Sequence, residues 1–397
     1  KNKFSSWRTI LPGMLVLMCS LQAIADVITD WNQRAGDIVV NANIGPLPAD
    51  RVLAIVQTSV YEAVNAITQR YPVHNVRIDA ESGASIQAAV AAANRAVLTE
   101  LVPVQGAEIE KAYQSVLTTI EDGKAKVAGV RVGEMAARAV LQLRREDGAS
   151  AGESYRPFTQ AGQYVPTVIP EAPQWRYRKP WLMTSPEQFR PGPPPALGSE
   201  LWVRDFNEVK ALGRKNSQQR NKEQTEIARF WEEVMPPIYH GIVRSVANTP
   251  GREVTQNARL FAAVTQASDD ALIAVFDAKY HYGFWRPVTA IRNADIDGND
   301  ATERDTSWIP FIDTPMHPEY PCAHCIISAA VGTVLQTELG QAPTPLLTTS
   351  SKAAGGITRN WNKLDDFMQE VASARIYDGV HYRNSGQGGA EMGKKIA

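Results

Sequence analysis

Apolar residues recur at steps of three and four along most of this 397-residue chain. That spacing places them on one face of an α-helix, whereas a half-buried strand would alternate apolar and polar residues. The clearest example runs through Val52, Ile55, Val56, Val60, Ala63, Val64 and Ile67. Similar periods cover 86–101, 109–120, 124–145, 254–276, 326–335 and 364–371. Because alternating segments are scarce, the sequence predicts an all-α fold built as a helical bundle.

Proline interrupts this pattern in the middle of the chain. Residues 155–195 are rich in proline and aromatic residues and end in Arg190-Pro-Gly-Pro-Pro-Pro195, a density that no helix can continue through. The aromatic side chains of Trp175, Tyr177 and Trp181 favour an ordered loop across the bundle surface over a flexible linker, because such side chains bury a large area.

The first 25 residues are typical of a secretory signal peptide. Lys1, Lys3 and Arg8 precede an apolar run over 10–21, and Ala23-Ile24-Ala25 has small residues at the two positions that a signal peptidase reads. A membrane anchor is the alternative, but the run is shorter than the roughly 20 apolar residues that a span requires. We therefore expect cleavage after residue 25 and a periplasmic or secreted protein, with no later segment able to span a bilayer.

The remaining chain is predicted to form one helical domain over 26–397. Its N-terminal helices occupy 26–154, and the helices that carry the candidate site occupy 196–397, on the far side of the proline-rich loop. The net charge of −1 offers no basic surface, so nucleic-acid binding has no support.

Two cations lie seven residues apart near the end of an apolar segment. Lys279 follows the 254–276 pattern, and Arg286 precedes Pro287. Seven residues are two helical turns, so a continuous helix would place both side chains on one face. There they would repel each other unless both converged on an anion. Two solvated surface cations are the alternative interpretation.

A histidine opens the next apolar helix. His324 follows Cys322 and Ala323, small residues that let an oxyanion approach the backbone N–H groups of a helix N-terminus. His324 can act there as an acid or a base near neutral pH. Cys322 and Cys325 also form a Cys-x-x-Cys pair, for which a redox pair and a plain structural disulfide both remain open.

Arg375 and His381 form the third element. Six residues do not bring two side chains to one face of a straight helix, but Gly379 between them offers a break that could turn both toward one point. Arg375 offers a bidentate fork for an oxyanion, and His381 offers a ring nitrogen that can attack phosphorus or bind a metal. A charged helix terminus is the alternative.

Together, these three segments supply three cations, two histidines and a helix N-terminus. That combination suits a small, highly charged oxyanion such as vanadate or phosphate, whose geometry changes during reaction. The sequence therefore predicts that one oxyanion site lies in the C-terminal part of the bundle.

Taken in order, the three segments resemble the vanadium-dependent haloperoxidase and type 2 phosphatidic acid phosphatase superfamily. Its pattern is Lys, six residues and Arg-Pro; then Pro-Ser-Gly-His; then Ser-Arg, five residues, His, three residues and Asp. This chain reads Lys279 to Arg286-Pro287, Pro321-Cys-Ala-His324, and Ala374-Arg375 to His381, with Ser385 in place of the Asp. The wider match looks like the exported bacterial haloperoxidase-like branch and includes Asp30-Trp31-Asn32, Tyr61-Glu-Ala-Val-Asn65, Phe230-Trp-Glu-Glu233, Phe284-Trp-Arg-Pro287 and His317-Pro-Glu-Tyr320.

The resemblance implies a role for each matched cation. Lys279, Arg286 and Arg375 would hold the oxygens of the oxyanion, and Ala323 would donate its backbone N–H to them. Vanadate would be the cofactor, or phosphate the substrate or mimic, of such a site.

The resemblance also implies roles for three histidines. His324 would be the acid–base. His381 would bind vanadium axially, or attack phosphorus in a phosphatase. His317 stands where bromoperoxidases tend to carry His and chloroperoxidases Phe, so it would tune halide or peroxide chemistry.

Two departures from the family pattern bear on the site. Cys322 replaces a Ser that hydrogen-bonds the oxyanion; a thiol is a weaker donor, and a disulfide with Cys325 would remove that donor. Ser385 replaces an Asp that can orient the last His, so a backbone carbonyl or Ser385 must fix the tautomer of His381.

Three functions follow from these observations. A vanadate-dependent haloperoxidase, an oxidoreductase, would use hydrogen peroxide to oxidise a halide, with bromide or iodide favoured. An acid or lipid phosphatase would hydrolyse a phosphate ester through a phosphohistidine at the same site. An oxyanion-binding protein with a decayed site is the third, because of Cys322 and Ser385. The local motif contexts favour the haloperoxidase, and a homo-oligomer remains open.

Overall fold

The structure, a computed structural model, describes residues 26–73 and 76–397. The predicted signal peptide over 1–25 lies outside the described residues and stays a prediction. The α-helices are α1 (Val27–Asn41), α2 (Pro46–Thr68), α3 (Ile86–Leu101), α4 (Gly106–Leu117), α5 (Lys124–Arg144), α6 (Glu200–Leu212), α7 (Lys222–Trp231), α8 (Pro237–Ala247), α9 (Val254–Tyr282), α10 (Pro287–Arg292), α11 (Ala323–Leu339), α12 (Leu364–Tyr377) and α13 (Arg383–Ile396).

The prediction of an all-α fold is confirmed. The strands of the described residues are β1 (Leu347–Ser351) and β2 (Ile357–Trp361), which pair antiparallel with Leu347 opposite Trp361. None of the helices in the described ranges is long and apolar enough to cross a membrane.

The longest helix, α9, lies at the centre of the bundle. It is buried along nearly its whole length, from Thr255 to Tyr280, which explains why its sequence is apolar on more than one face. Helices α2 and α11 both pack against it, α3 and α5 cover α2, and α13 covers α11. The C-terminal half of α9 therefore reaches into the contact between α11 and α13.

Helices α11 and α13 approach each other backbone to backbone. A Cβ atom at Gly389 would collide with the carbonyl oxygen of Cys322, and one at Gly393 would collide with that of Ile326. Because neither glycine can be replaced without moving a helix, the first turn of α11 is fixed against α13.

The proline-rich segment 155–195 is an ordered loop, as predicted. Its helical structure is a single 3₁₀ turn, Pro173–Tyr177, and it is attached to the bundle through Trp175, which is buried, and through the indole N–H of Trp181, which donates to Asp269 at 2.8 Å. Tyr177 contributes nothing comparable, since it is 58% exposed.

Candidate active site

The first predicted pair of cations does not lie on one continuous helix. Helix α9 ends at Tyr282, and Gly283 adopts a left-handed conformation (φ 58°) that terminates it. Arg286 follows in extended backbone, immediately before α10. The prediction that both side chains share one helical face is therefore wrong. The turn at Gly283 nevertheless directs Arg286 into the interior, where it is 1% exposed and Lys279 is 0% exposed.

The second element forms the predicted helix start. Cys322 is the N-cap residue of α11, and its Sγ accepts a hydrogen bond from the backbone N–H of Cys325 at 3.1 Å. The N–H groups of Ala323 and His324 occupy the first two helical positions, which have no acceptor within a helix. Both residues face a cavity, so this helix end can offer hydrogen bonds and a positive dipole to an anion.

A disulfide joins Cys322 and Cys325. In this form Cys322 has no thiol proton, so it cannot act as the oxyanion donor that the sequence suggested for it. The backbone N–H groups at the start of α11 remain as the donors of this segment.

The chain turns at Gly379 in the third element, as the sequence predicted. Helix α12 ends at Tyr377, and Gly379 has a φ of 80°, a conformation that glycine adopts without strain. A Cβ atom there would also collide with the carbonyl oxygen of Gly213. The turn folds the chain back, so that Arg375 and His381 reach the same cavity.

The cavity has a volume of about 340 Å³. Its inner end is lined by the predicted site residues His317, Ala323, His324, Arg375 and His381. Lys279 and Arg286 stand behind this lining, in contact with it through residues 317–319 and His381. The rest of the lining combines the apolar residues Leu47, Leu272, Phe276, Ile312, Met316 and Ile327 with the acidic residues Glu171, Glu232 and Asp313. The structure therefore brings the three predicted segments, from Lys279 to His381, to one place.

Lys279 is held by backbone carbonyls. Its Nζ donates to Pro318 at 3.0 Å and to Glu319 at 2.8 Å, which leaves one of the three ammonium protons unused. Burial, and then the neighbouring charge of Arg286, lowers the pKa of Lys279 well below its usual value. An anion in the cavity would relieve both effects.

Arg286 contacts both histidines that flank it. Its Nε donates to the carbonyl oxygen of His317 at 2.9 Å, and its Nη1 lies 2.8 Å from the carbonyl oxygen of Val380. Nη1 also lies 3.2 Å from Nε2 of His381, and Nη2 lies 3.0 Å from Nδ1 of His317. Burial lowers the pKa of Arg286 to about 10, so the side chain is still cationic at neutral pH.

Arg375 has unused donors. Its Nη1 donates to the carbonyl oxygen of Trp231 at 3.0 Å and to Asp378 at 2.7 Å. Nε is buried and, like Nη2, meets no acceptor among the described residues. Burial, opposed by the charge of Arg375, raises the pKa of Asp378 to about 7. The guanidinium therefore lines the cavity with two donor nitrogens, Nε and Nη2, that have no acceptor.

His324 and His381 are both neutral in this arrangement. Burial, and then Arg375, lowers the pKa of His324. Burial, and then Arg286, lowers that of His381. The Nε2 atom of His324 lies 3.3 Å from the carbonyl oxygen of Glu233, which can only accept, so Nε2 carries the proton. A bound oxyanion would raise the pKa of either ring, because an opposite charge favours the protonated form.

The hydrogen bonds of His381 determine its tautomer. A guanidinium can only donate, so Nε2 of His381 must accept from Arg286. The single proton of the neutral ring is then on Nδ1, which donates to Oε1 of Glu319 at 2.7 Å. The lone pair that would bind phosphorus or vanadium is therefore the one at Nε2.

Glu319 is the functional residue that the sequence reasoning missed. It is fully buried, and burial raises its pKa to about 7 against the opposing charges of Lys279 and Arg286. Ser385, which was expected to fix the ring of His381 if no carbonyl did, has its Oγ at 3.3 Å from Nδ1. The available signal was indirect: with the motif Asp absent, the ring still required an acceptor, and Glu319 lies within the His317-to-Tyr320 motif.

Comparisons with known proteins agree with the sequence motifs. Residues 259–397 match the family model of the VCPO second helical-bundle domain. The vanadium chloroperoxidase of Curvularia inaequalis is 31% identical over an alignment of 140 residues that covers 29% of this chain. The match spans 23% of the length of that relative.

The fold comparison extends over nearly the whole chain. A crystal structure of the first bacterial vanadium-dependent iodoperoxidase has a TM-score of 0.78 at 23% identity, and the match covers 93% of this chain and 94% of that one. An apo-type bacterial vanadium-dependent chloroperoxidase has a TM-score of 0.69 at 17% identity, with coverages of 89% and 92%. At these identities the likeness establishes the fold alone. The whole chain therefore shares the fold of these solved structures, and residues 259–397 are similar to the second helical-bundle domain of VCPO.

Proposed function

We propose that this chain is a vanadate-dependent haloperoxidase that uses hydrogen peroxide to oxidise a halide. The observation that carries the proposal is the clustering of three buried cations at one site: Arg375 lines the cavity together with His381, and Lys279 and Arg286 lie directly behind that lining. Three cations of this kind are costly to bury without an anion between them.

Vanadate fits the donors that are present. Arg375 presents Nε and Nη2 without acceptors, the start of α11 presents two backbone N–H groups, and His381 presents a ring nitrogen that favours transition metals. When bound, vanadate supplies Lewis-acid activation of peroxide without a change in its own oxidation state. The residues of this chain hold its charge and move protons beside it.

His324 is proposed as the group that moves the proton. It lines the cavity and is neutral before an anion arrives, so it can accept a proton from hydrogen peroxide. The anion raises the pKa of the His324 ring. The protonated ring can then return the proton to the peroxide oxygen that leaves when the O–O bond breaks. The carbonyl of Glu233 orients the ring during both steps.

His317 is proposed to select bromide or iodide. Its ring lines the cavity, its Nδ1 lies 3.0 Å from Arg286, and its ring centroid is 5.1 Å from that of Phe276. A His→Phe change at 317 would remove this polar contact beside the reacting oxygens. We expect His317→Phe to change the ratio of chloride to bromide oxidation; an unchanged ratio contradicts the role.

We also propose that the chain acts in the periplasm or outside the cell. The Cys322–Cys325 disulfide agrees with an oxidising compartment, and the pattern over 1–25 agrees with export. N-terminal sequencing of the exported protein should begin at Asp26; an intact leader on the active protein contradicts this proposal.

One assay tests the activity. Purified protein is incubated with orthovanadate, and peroxide-dependent oxidation of bromide and iodide is measured beside the hydrolysis of an aryl phosphate. Halide oxidation that requires vanadate supports the proposal. Hydrolysis that vanadate inhibits, without halide oxidation, would instead make the chain a phosphatase, and vanadate binding without either activity would make it an oxyanion-binding protein.

Two histidine variants sharpen this assay. His381→Ala removes the only ring nitrogen that we assign to vanadium, and should abolish halide oxidation. His281→Ala, which alters an exposed histidine in the last turn of α9, is the matched control and should keep it. Full activity of His381→Ala would refute the assignment.

A further inference from the structure

Glu319 lies where a carboxylate can control the ring of His381. Its Oε1 accepts from Nδ1 of His381 at 2.7 Å and from the backbone N–H of Tyr382 at 3.1 Å. The side chains of both partners are almost fully enclosed, 0% exposed for Glu319 and 3% for His381. Water therefore does not compete for this hydrogen bond.

The contact with Tyr382 fixes which oxygen faces the ring. A backbone N–H can only donate, so Oε1 is an acceptor at that contact and is held as an acceptor toward Nδ1 as well. On the other side of the ring, Arg286 can only donate to Nε2. The two contacts are consistent with one tautomer, with the proton on Nδ1 and the lone pair of Nε2 accepting from Arg286.

The family pattern places the carboxylate elsewhere. It has an Asp four residues after the last His, where this chain has Ser385. The hydroxyl of Ser385 lies 3.3 Å from Nδ1, farther than Glu319 and without a full negative charge. Glu319 reaches the same nitrogen from the segment before α11, 62 residues away in sequence.

We propose that Glu319 is the positioning residue for His381 and that it replaces, from a different part of the chain, the carboxylate that the family carries at the position of Ser385. The role rests on the proposed function for its effect on halide oxidation. The effect on the ring itself does not depend on that function, because the hydrogen bonds exist before any anion binds.

A plain counter-ion role for Glu319 is the competing explanation. Its backbone carbonyl accepts from Lys279, and the charges of Lys279 and Arg286 act on its carboxylate. A counter-ion needs a negative charge, whereas a positioning residue needs an acceptor atom at the Oε1 location. Glu319→Gln separates the two, because the Tyr382 N–H would hold its carbonyl oxygen toward Nδ1.

The experiment compares Glu319→Gln, Glu319→Ala and the double variant Glu319→Ala/Ser385→Asp. The first measurement is NMR of ¹⁵N-histidine-labelled protein without vanadate, which reports the nitrogen that carries the proton of His381. The second is the affinity for orthovanadate by equilibrium dialysis, and the third is kcat and KM for vanadate-dependent iodide oxidation. Glu338→Ala is the control, since Glu338 pairs with Arg252 and Arg259 near the opposite end of α11.

The positioning role predicts a graded series. Glu319→Ala should lose the pure Nδ1–H tautomer and about 10- to 100-fold in vanadate affinity or kcat, the usual effect of losing a partner that orients a metal-bound histidine. Glu319→Gln should keep the tautomer and most of the affinity, and Ser385→Asp should restore both to the Glu319→Ala protein.

Two results would overturn the inference. One is an unchanged tautomer and unchanged vanadate affinity in Glu319→Ala. The other is a Glu319→Gln protein as impaired as Glu319→Ala, which would show that the charge alone matters. If the tautomer responds as expected but no variant, nor the parent protein, oxidises halide, the proposed function fails while the positioning role stands.

Discussion

The chain buries arginine in two places, and the partners differ. Arg178, in the proline-rich loop, donates to Asp269 through Nη1 at 2.5 Å and to Asp147 through Nη2 at 2.9 Å. Arg286, in the candidate site, donates to backbone carbonyls and histidine nitrogens and has no carboxylate in hydrogen-bond contact. Both side chains are nearly inaccessible, at 0% and 1% exposure.

The pKa of each arginine reflects these partners. Burial lowers the pKa of Arg178, but the carboxylates of Asp269 and Asp147 outweigh it and raise the pKa above its usual value. At Arg286 burial prevails over the charge of Glu319 and the pKa falls to about 10. A cation that the protein already neutralises has a structural role, whereas a cation that it leaves short of negative charge is prepared for a ligand.

A guanidinium nitrogen without a hydrogen-bond partner does not by itself distinguish a structural arginine from one that is prepared for a ligand. Nε lacks a partner in Arg178 as well as in Arg375. The difference lies in the two Nη atoms, both of which meet carboxylates in Arg178, whereas one of them has no acceptor in Arg375.

The largest expected effect is on stability at the neutralised arginine. Arg178→Met leaves Asp269 buried without its arginine partner and removes one of the three arginines that pair with Asp147, which should lower the free energy of unfolding by about 3–5 kcal/mol. Urea unfolding measures the change, and Arg138→Met, at a surface arginine paired with Glu134, is the control. A loss below about 1 kcal/mol would mean that the partners do not distinguish the two arginines.

Arg286→Met should reduce activity more than stability, whereas Arg178→Met should mainly reduce stability. The change at Arg286 removes a proposed donor to the oxyanion, so we expect halide oxidation to fall by about 10²- to 10³-fold. It also relieves the repulsion with Lys279, so the loss of unfolding free energy should be smaller than for Arg178→Met. Steady-state kinetics and urea unfolding of the same preparations test both expectations; a larger stability loss than that of Arg178→Met would break the comparison.

An oxyanion should stabilise the protein through the site. Orthovanadate at 100 times its Kd should add about 2.7 kcal/mol to the free energy of unfolding, and phosphate should act in the same direction. Thermal unfolding with and without the anion measures this. Arg286→Met should lose most of the effect, and stabilisation that survives in that variant would place the anion elsewhere.

A smaller, pH-dependent effect is expected outside both regions. His240 is buried beside Asn32, and burial, then Arg244, lowers its pKa to about 3. The unfolded chain, with a pKa near 6.5, binds more protons between these values, so stability falls as the pH drops below about 6.5. His240→Gln should reduce this slope by up to about 1.4 kcal/mol per pH unit, as urea unfolding at several pH values would show. An unchanged slope would mean that His240 titrates normally.

The helices could be predicted because packing and periodicity agree. The apolar positions from Val52 to Val64 are buried and Ile67 is partly buried, all on α2, which runs from Pro46 to Thr68. The strands β1 and β2 were not predicted. They have five residues each, and four of the five in β1 are Thr or Ser, so they carry too few alternating positions to produce a pattern.

The site could be predicted only in part. Short motifs identified Lys279, Arg375 and His381 because their spacing lies within single segments. Glu319 could not be found in that way, because its contact with His381 spans 62 residues and depends on how the segment before α11 meets the start of α13. Periodicity describes one element at a time and does not show which segments meet.

The guanidinium of Arg286 beside Nε2 of His381 has a consequence for metal selection. A histidine nitrogen binds Zn²⁺, Cu²⁺ and Ni²⁺ well, but a divalent cation would have to displace one positive group and settle among two others. Vanadium(V) in water is a negatively charged oxide, so the same positive groups attract it. We therefore expect the charge of the dissolved metal species to favour vanadate over a divalent cation at this site.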